Sequence, residues 1–247
     1  MKDIKNKIIL LHLLCEAELE ELSRRTEQEE LSLLAGQALE RYRHAPGEQG
    51  ESEKKKDPLP WYSFWQAVRR EDEKTMAYFC FRGPQRHGTL ELDGLLTRAG
   101  ENSLLQEKKY DLCHQALTML LHWAFSRDTN YFIRNRCRGE EDTLWRTLLR
   151  RCEFRCLNGK GSRQRDWELE RPASTWLSVF ICIGLSIGLS IGLLLFQSVF
   201  LGSCLGLVLG LGTGLGLDLS DKKLRQRLRE ARQAEKAEIG PGEQLPQ

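Results

Sequence analysis

The chain has 247 residues, a formal net charge of +2 and 29% charged residues. That length allows one or two domains. The near balance of Lys+Arg and Asp+Glu excludes the strongly basic field that would point to nucleic acid. Eight cysteines at irregular spacing give no disulfide framework and fit a reduced compartment.

From the N-terminus, Ile4, Ile8, Leu11, Cys15, Leu19 and Leu22 recur at helical spacing, which predicts one amphipathic helix over 3–25 rather than a cleaved signal. Thr26-Glu27-Gln28-Glu29 reads as a capping box for a second helix through Leu31, Leu34 and Ala38, so that 1–44 is a helical segment. The polar stretch 45–59, with Lys54-Lys55-Lys56 and several prolines nearby, reads as a linker.

Residues 60–157 are then expected to form a compact helical domain. Trp61, Phe64, Trp65 and Val68 fall at i, i+3, i+4 and i+7 after Pro60. This aromatic stripe is either a core face or a partner-binding patch made of Trp61, Phe64 and Trp65. Further helices are read at Leu92–Leu96, from Ser103 through Ala124, around Tyr131–Ile133, and from Leu144 to Cys156. The expected fold class is therefore all-α.

The segment 158–175 is basic, and 172–217 contains no Asp, Glu, Lys, Arg or His. An apolar run over 176–217 is about twice the roughly 20 residues needed for one crossing, which implies a hairpin of two transmembrane helices, 176–196 and 199–217. The basic flanks on both sides place both termini in the cytosol by the positive-inside rule. Gly184, Gly188 and Gly192 in the first helix, and Gly202, Gly206, Gly210 and Gly214 in the second, repeat every four residues. They are expected to pack helices, within the hairpin or between copies. The pattern is similar to the glycine-zipper hairpins of several unrelated membrane families. Residues 218–247 read as a basic amphipathic helix with a disordered tail.

Chemistry is scarce in this reading. Asn158-Gly159-Lys160-Gly161-Ser162 lacks P-loop spacing, and Cys113, His122, Cys137, Cys152 and Cys156 lack the paired units of a zinc site. No catalytic, metal or cofactor residues are expected, and the chain is read as not an enzyme. The function expected is a membrane-tethered adaptor whose helical domain binds a cytosolic protein and whose hairpin contacts membrane lipid and self-associates. The alternative is a membrane-active protein that forms a pore or shapes the bilayer through oligomerised hairpins.

Overall fold

The computed structural model describes residues 3–24, 29–44, 62–85, 88–97, 103–126, 131–138, 143–157, 164–173 and 176–238. They belong to two compact units, 1–171 and 172–247.

The first unit is built on an eight-stranded mixed sheet, which overturns the all-α expectation. Its strands are β1 (Ile4–Lys5), β2 (Ile9–Leu13), β3 (Phe64–Arg69), β4 (Thr75–Gln85), β5 (Thr89–Leu96), β6 (Phe132–Arg138), β7 (Arg155–Cys156) and β8 (Gln164–Glu170). Their order across the sheet is β1-β2-β3-β4-β5-β6-β8-β7. Four helices accompany them: α1 (Glu16–Ser23), α2 (Glu29–His44), α3 (Ser103–Phe125) and α4 (Thr143–Arg151). All neighbouring strands run antiparallel except β5 and β6, which are parallel and joined through α3. A parallel pair cannot be closed by a tight turn, so the long crossover helix between them is a geometric necessity.

Over β3 and β4 the sheet is buried on both faces. Alternate side chains enter two separate cores, as the two-residue period of a strand requires. One core gathers Trp65, Phe79, Leu90, Leu92 and Ile133 with Leu117 and Leu120 of α3 and Trp145, Leu148 and Leu149 of α4. The other gathers Phe64, Tyr78 and Cys80 with Leu19 and Leu22 of α1 and Leu31, Ala35 and Ala38 of α2. The aromatic stripe read as one helix face is thus a strand in which Phe64 and Trp65 point opposite ways. The segments read as helices at Leu92–Leu96 and Tyr131–Ile133 are β5 and the start of β6. The basic segment 158–175 contains β8, which pairs with β6 over its whole length.

The second unit is a helical hairpin. Its arms are α5 (Trp176–Ile191), continued by a π-helical turn Gly192–Phe196, and α6 (Val199–Glu238). Gln197 makes the reversal in the left-handed region at φ 47°. At the open end, Asp218 Oδ1 accepts the backbone N–H of Trp176 at 3.1 Å, capping α5 from α6. Nearby, Arg225 Nη2 donates to the carbonyl of Pro172 at 3.1 Å and pairs with Asp221 at 2.8 Å.

Candidate functional site

The parallel pair holds only at its start. Thr89, Leu90 and Glu91 face Phe132, Ile133 and Arg134, after which β5 runs on to Leu96 without a strand partner on that side among the described residues. Each strand stays fixed by its outer neighbour: β4 pairs with β5 as far as Leu96, and β8 pairs with β6 as far as Arg138. The two strands therefore part beyond Glu91 and Arg134 at their carboxyl ends. Carboxyl ends of parallel strands, each leading toward a helix N-terminus, are where open α/β sheets present backbone to ligands. Here α3 follows β5, is 23 residues long and has no acidic residue in its first turn. Such an N-terminus favours an anion.

Two side chains occupy the α3–α4 side of the parting. Asn135 of β6 is 2% exposed and donates from Nδ2 to the carbonyl of Leu92 at 2.7 Å. Gly94 of β5 lies under the indole of Trp145 from α4, so close that a Cβ at this position would overlap the ring. Trp145 is itself buried and lies 6.1 Å from Phe79, centroid to centroid. Lys109 of α3 reaches back to the end of β5, donating to the carbonyl of Thr97 and to Thr97 Oγ1, the latter at 2.8 Å. Burial depresses the Lys109 ammonium below its ordinary pKa.

The opposite face of the same strands is charged. Because Leu90, Leu92, Ile133 and Trp167 point into the α3–α4 core, the alternation puts Glu91, Asp93, Arg134 and Asp166 on the other side. Arg82 pairs there with Asp93, and Arg134 with Asp166. Asp166 Oδ1 and Thr89 Oγ1 are buried without a hydrogen-bond partner among the described residues. Both lie on the charged face, where polar groups are held at a cost in desolvation.

Three of the cysteines are buried thiols. Burial pushes Cys80, Cys113 and Cys152 up to about 11, away from the reactive thiolate. Among the described residues no three His, Cys, Asp or Glu side chains come together as a metal site.

Of the residues singled out in the sequence, Trp61 lies outside the described residues. Phe64 and Trp65 are 1% and 0% exposed, so neither can present a partner-binding patch. The seven glycines are brought together on the seam between α5 and α6 of one chain. A Cβ on Gly188 would lie 2.6 Å from Gly206 Cα, one on Gly192 2.5 Å from Gly202 Cα, and one on Gly214 2.7 Å from Leu177 Cα. Gly184 faces Gly206 and Gly210, and Gly210 faces Phe180 and Ile181. Gly212 and Gly216 instead meet nothing within 4 Å. What the sequence reading missed is the site at the parting, including Asn135, an unusual residue for a strand interior.

No known protein family matches the sequence, and no curated protein matches it. Solved structures do resemble the fold. A GNAT-family acetyltransferase from Bacillus anthracis shares 11% identity, covers 69% of this chain and 99% of its own, and gives a TM-score of 0.43. An acetyltransferase from Agrobacterium tumefaciens shares 10%, covers 69% and 95%, and gives 0.46. A ribosomal-protein α-N-acetyltransferase in complex with coenzyme A shares 11%, covers 70% and 100%, and gives 0.43. These three structures are enzymes. At such TM-scores the likeness carries no argument about mechanism, and the topology rests on the strand pairing described above.

The findings correct the functional expectations. The adaptor reading placed a helical bundle at 60–157, with its aromatic stripe as a core face or a partner-binding patch, whereas the domain is a mixed sheet with Phe64 and Trp65 buried in two different cores. The non-enzyme and adaptor expectations go with that bundle, and the glycine faces on which a clustered or pore-forming hairpin depended close on each other within one chain. The multi-pass membrane localisation with both termini cytosolic is corrected with them. Trp176–Leu194 and Val199–Ala231 are long and apolar enough to cross a membrane, but length and composition alone do not make a multi-pass membrane protein.

Proposed function

We propose that residues 1–171 form the catalytic domain of an acyl-group transferase whose donor binds where β5 and β6 part. The observation that carries this reading is the pairing of the parallel strands, which stops at Glu91 and Arg134 while both strands continue. It leaves a strand edge open beside the start of a long helix, a place suited to an extended ligand with an anionic end. Coenzyme A, the ligand of one of the similar structures, has that character: its phosphates suit the N-terminus of α3 and its arm suits the edge of β5. When bound as a thioester it would supply an activated acyl group.

The chain's own residues then have separable tasks. The backbone at the start of α3 holds the anionic end, and Lys109 fixes α3 to the end of β5 through Thr97. Glu91 stands at the last paired level of the parting, on the charged face. We assign it acceptance of the proton that an attacking amine gives up as the new acyl–nitrogen bond forms and the thiol leaves. The Arg82–Asp93 and Arg134–Asp166 pairs hold the strands on either side in register.

The test is calorimetric titration of coenzyme A into the full chain, held in mild detergent because 172–247 exposes many large apolar side chains. Acetyl transfer to lysine-bearing peptides is followed in parallel by thiol release. Glu91→Gln is expected to lower kcat by on the order of 10²-fold while leaving coenzyme A affinity unchanged. Absence of coenzyme A binding would reject the reading.

A further inference from the structure

We infer that Asn135 is a latch on the parting between β5 and β6, so that donor entry requires its side chain to leave the Leu92 carbonyl. The inference rests on the donor site proposed above and adds how access to it is controlled. Beyond Glu91 the edge of β5 has lost its neighbour, and a buried carbonyl without a donor is costly. Leu92 is 0% exposed, and its oxygen is satisfied by Asn135 Nδ2 at 2.7 Å. One side-chain amide thus replaces the missing rung of the ladder.

The residue type supports the role. Asn is disfavoured within strands, and Ile133, two residues earlier on the same face, is an ordinary core side chain. An apolar residue at 135 would pack equally well but could not reach a carbonyl. A buried amide is tolerated only when bonded, so Asn135 at 2% exposure has a preferred place. Trp145 on Gly94 fills the next level of the same side, so the Asn135–Leu92 bond lies across the parting where an arm along β5 would pass. A ligand with amide N–H groups can repay that bond by donating to the same oxygen.

A latch of this kind lowers apparent affinity by the fraction of time it is open. Coenzyme A binding to the full chain is therefore measured for the natural sequence, Asn135→Ala and Asn135→Ser, by calorimetry for Kd and stopped flow for association, with thermal melting as the check of folding. Asn135→Ser is the milder change and decides the matter if the alanine variant does not fold. The latch predicts binding roughly tenfold tighter or more, with the gain in the association rate. Binding by the variants alone would also support it. Unchanged or weaker binding overturns the latch while the donor site stands, since weakening would make Asn135 a ligand contact. If neither the natural sequence nor a variant binds, the donor site and the latch fall together.

Discussion

At the scale of single residues, the glycines show how one chemical change can have opposite signs. Gly94 is in the middle of β5, with Trp145 pressed on its Cα side, and a methyl there enters space the indole already fills. Trp145 is 2% exposed and bounded by Phe79, so it cannot swing aside without disturbing the α4 packing. Gly94→Ala should therefore destabilise the domain by about 1–3 kcal/mol, the usual cost of overpacking. Gly36 is within α2, and a Cβ there meets nothing within 4 Å. Gly36→Ala removes backbone entropy from the unfolded chain and adds helix propensity, and should stabilise by about 0.5–1 kcal/mol. Denaturant melts of the two variants beside the natural sequence check both signs. Equal effects would mean that the Trp145 contact is absent in solution.

At the scale of elements, helices and strands were legible to different degrees, and the reason is burial on two faces. The helical period reads correctly where a segment has one apolar face, as over α3, where Leu112, Ala116, Leu120 and Ala124 fall on one side. It fails in β3, where Phe64 serves one core and Trp65 the other, because a strand covered on both faces shows a continuous apolar run with no alternation. Ile9–Leu13 and Phe132–Ile133 are short apolar runs that also match a helix turn. The candidate site was illegible for a related reason: the parting is defined by where pairing stops between strands more than thirty residues apart, and no local motif marks it. The glycine series were legible because each is local, yet their spacing leaves open whether they meet within one chain or between chains. A direct comparison separates these. Gly188 faces backbone of α6, whereas Gly212 faces open space. Gly188→Leu should part α5 from α6 and destabilise the hairpin by about 1–3 kcal/mol or more, while Gly212→Leu should leave it unchanged. Denaturant unfolding read from the distance between labels on Cys182 and Cys204 reports the pairing. Loss of stability in Gly212→Leu alone would place the working contact on the outer face of α6.

At the scale of the whole molecule, the sheet decides which stretch of chain is a folding unit. The helical reading places a compact domain at 60–157, but expressing it alone, as residues 58–160, removes both flanks of the sheet. β2, at Ile9–Leu13, pairs with β3 over five positions, so its loss strips the edge of β3 and uncovers Trp65 and Ala67. β8, at Gln164–Glu170, pairs with β6 over seven positions and brings Trp167 into the α3–α4 core and Asp166 to Arg134. The cut also deletes α1 and α2, the whole helical cover of the second core, leaving Phe64 and Tyr78 exposed. Each loss exposes large apolar side chains worth about 1.5–3 kcal/mol apiece, and together they are comparable to the 5–15 kcal/mol by which a domain is normally stable. Residues 58–160 expressed alone should therefore be unfolded or aggregated. Residues 1–171 keep every strand and both cores and coincide with one compact unit, so they should melt cooperatively with a mixed helix and strand circular dichroism spectrum. A cooperative, helix-dominated melt from 58–160 would contradict the sheet order itself, and with it the position of the parting between β5 and β6.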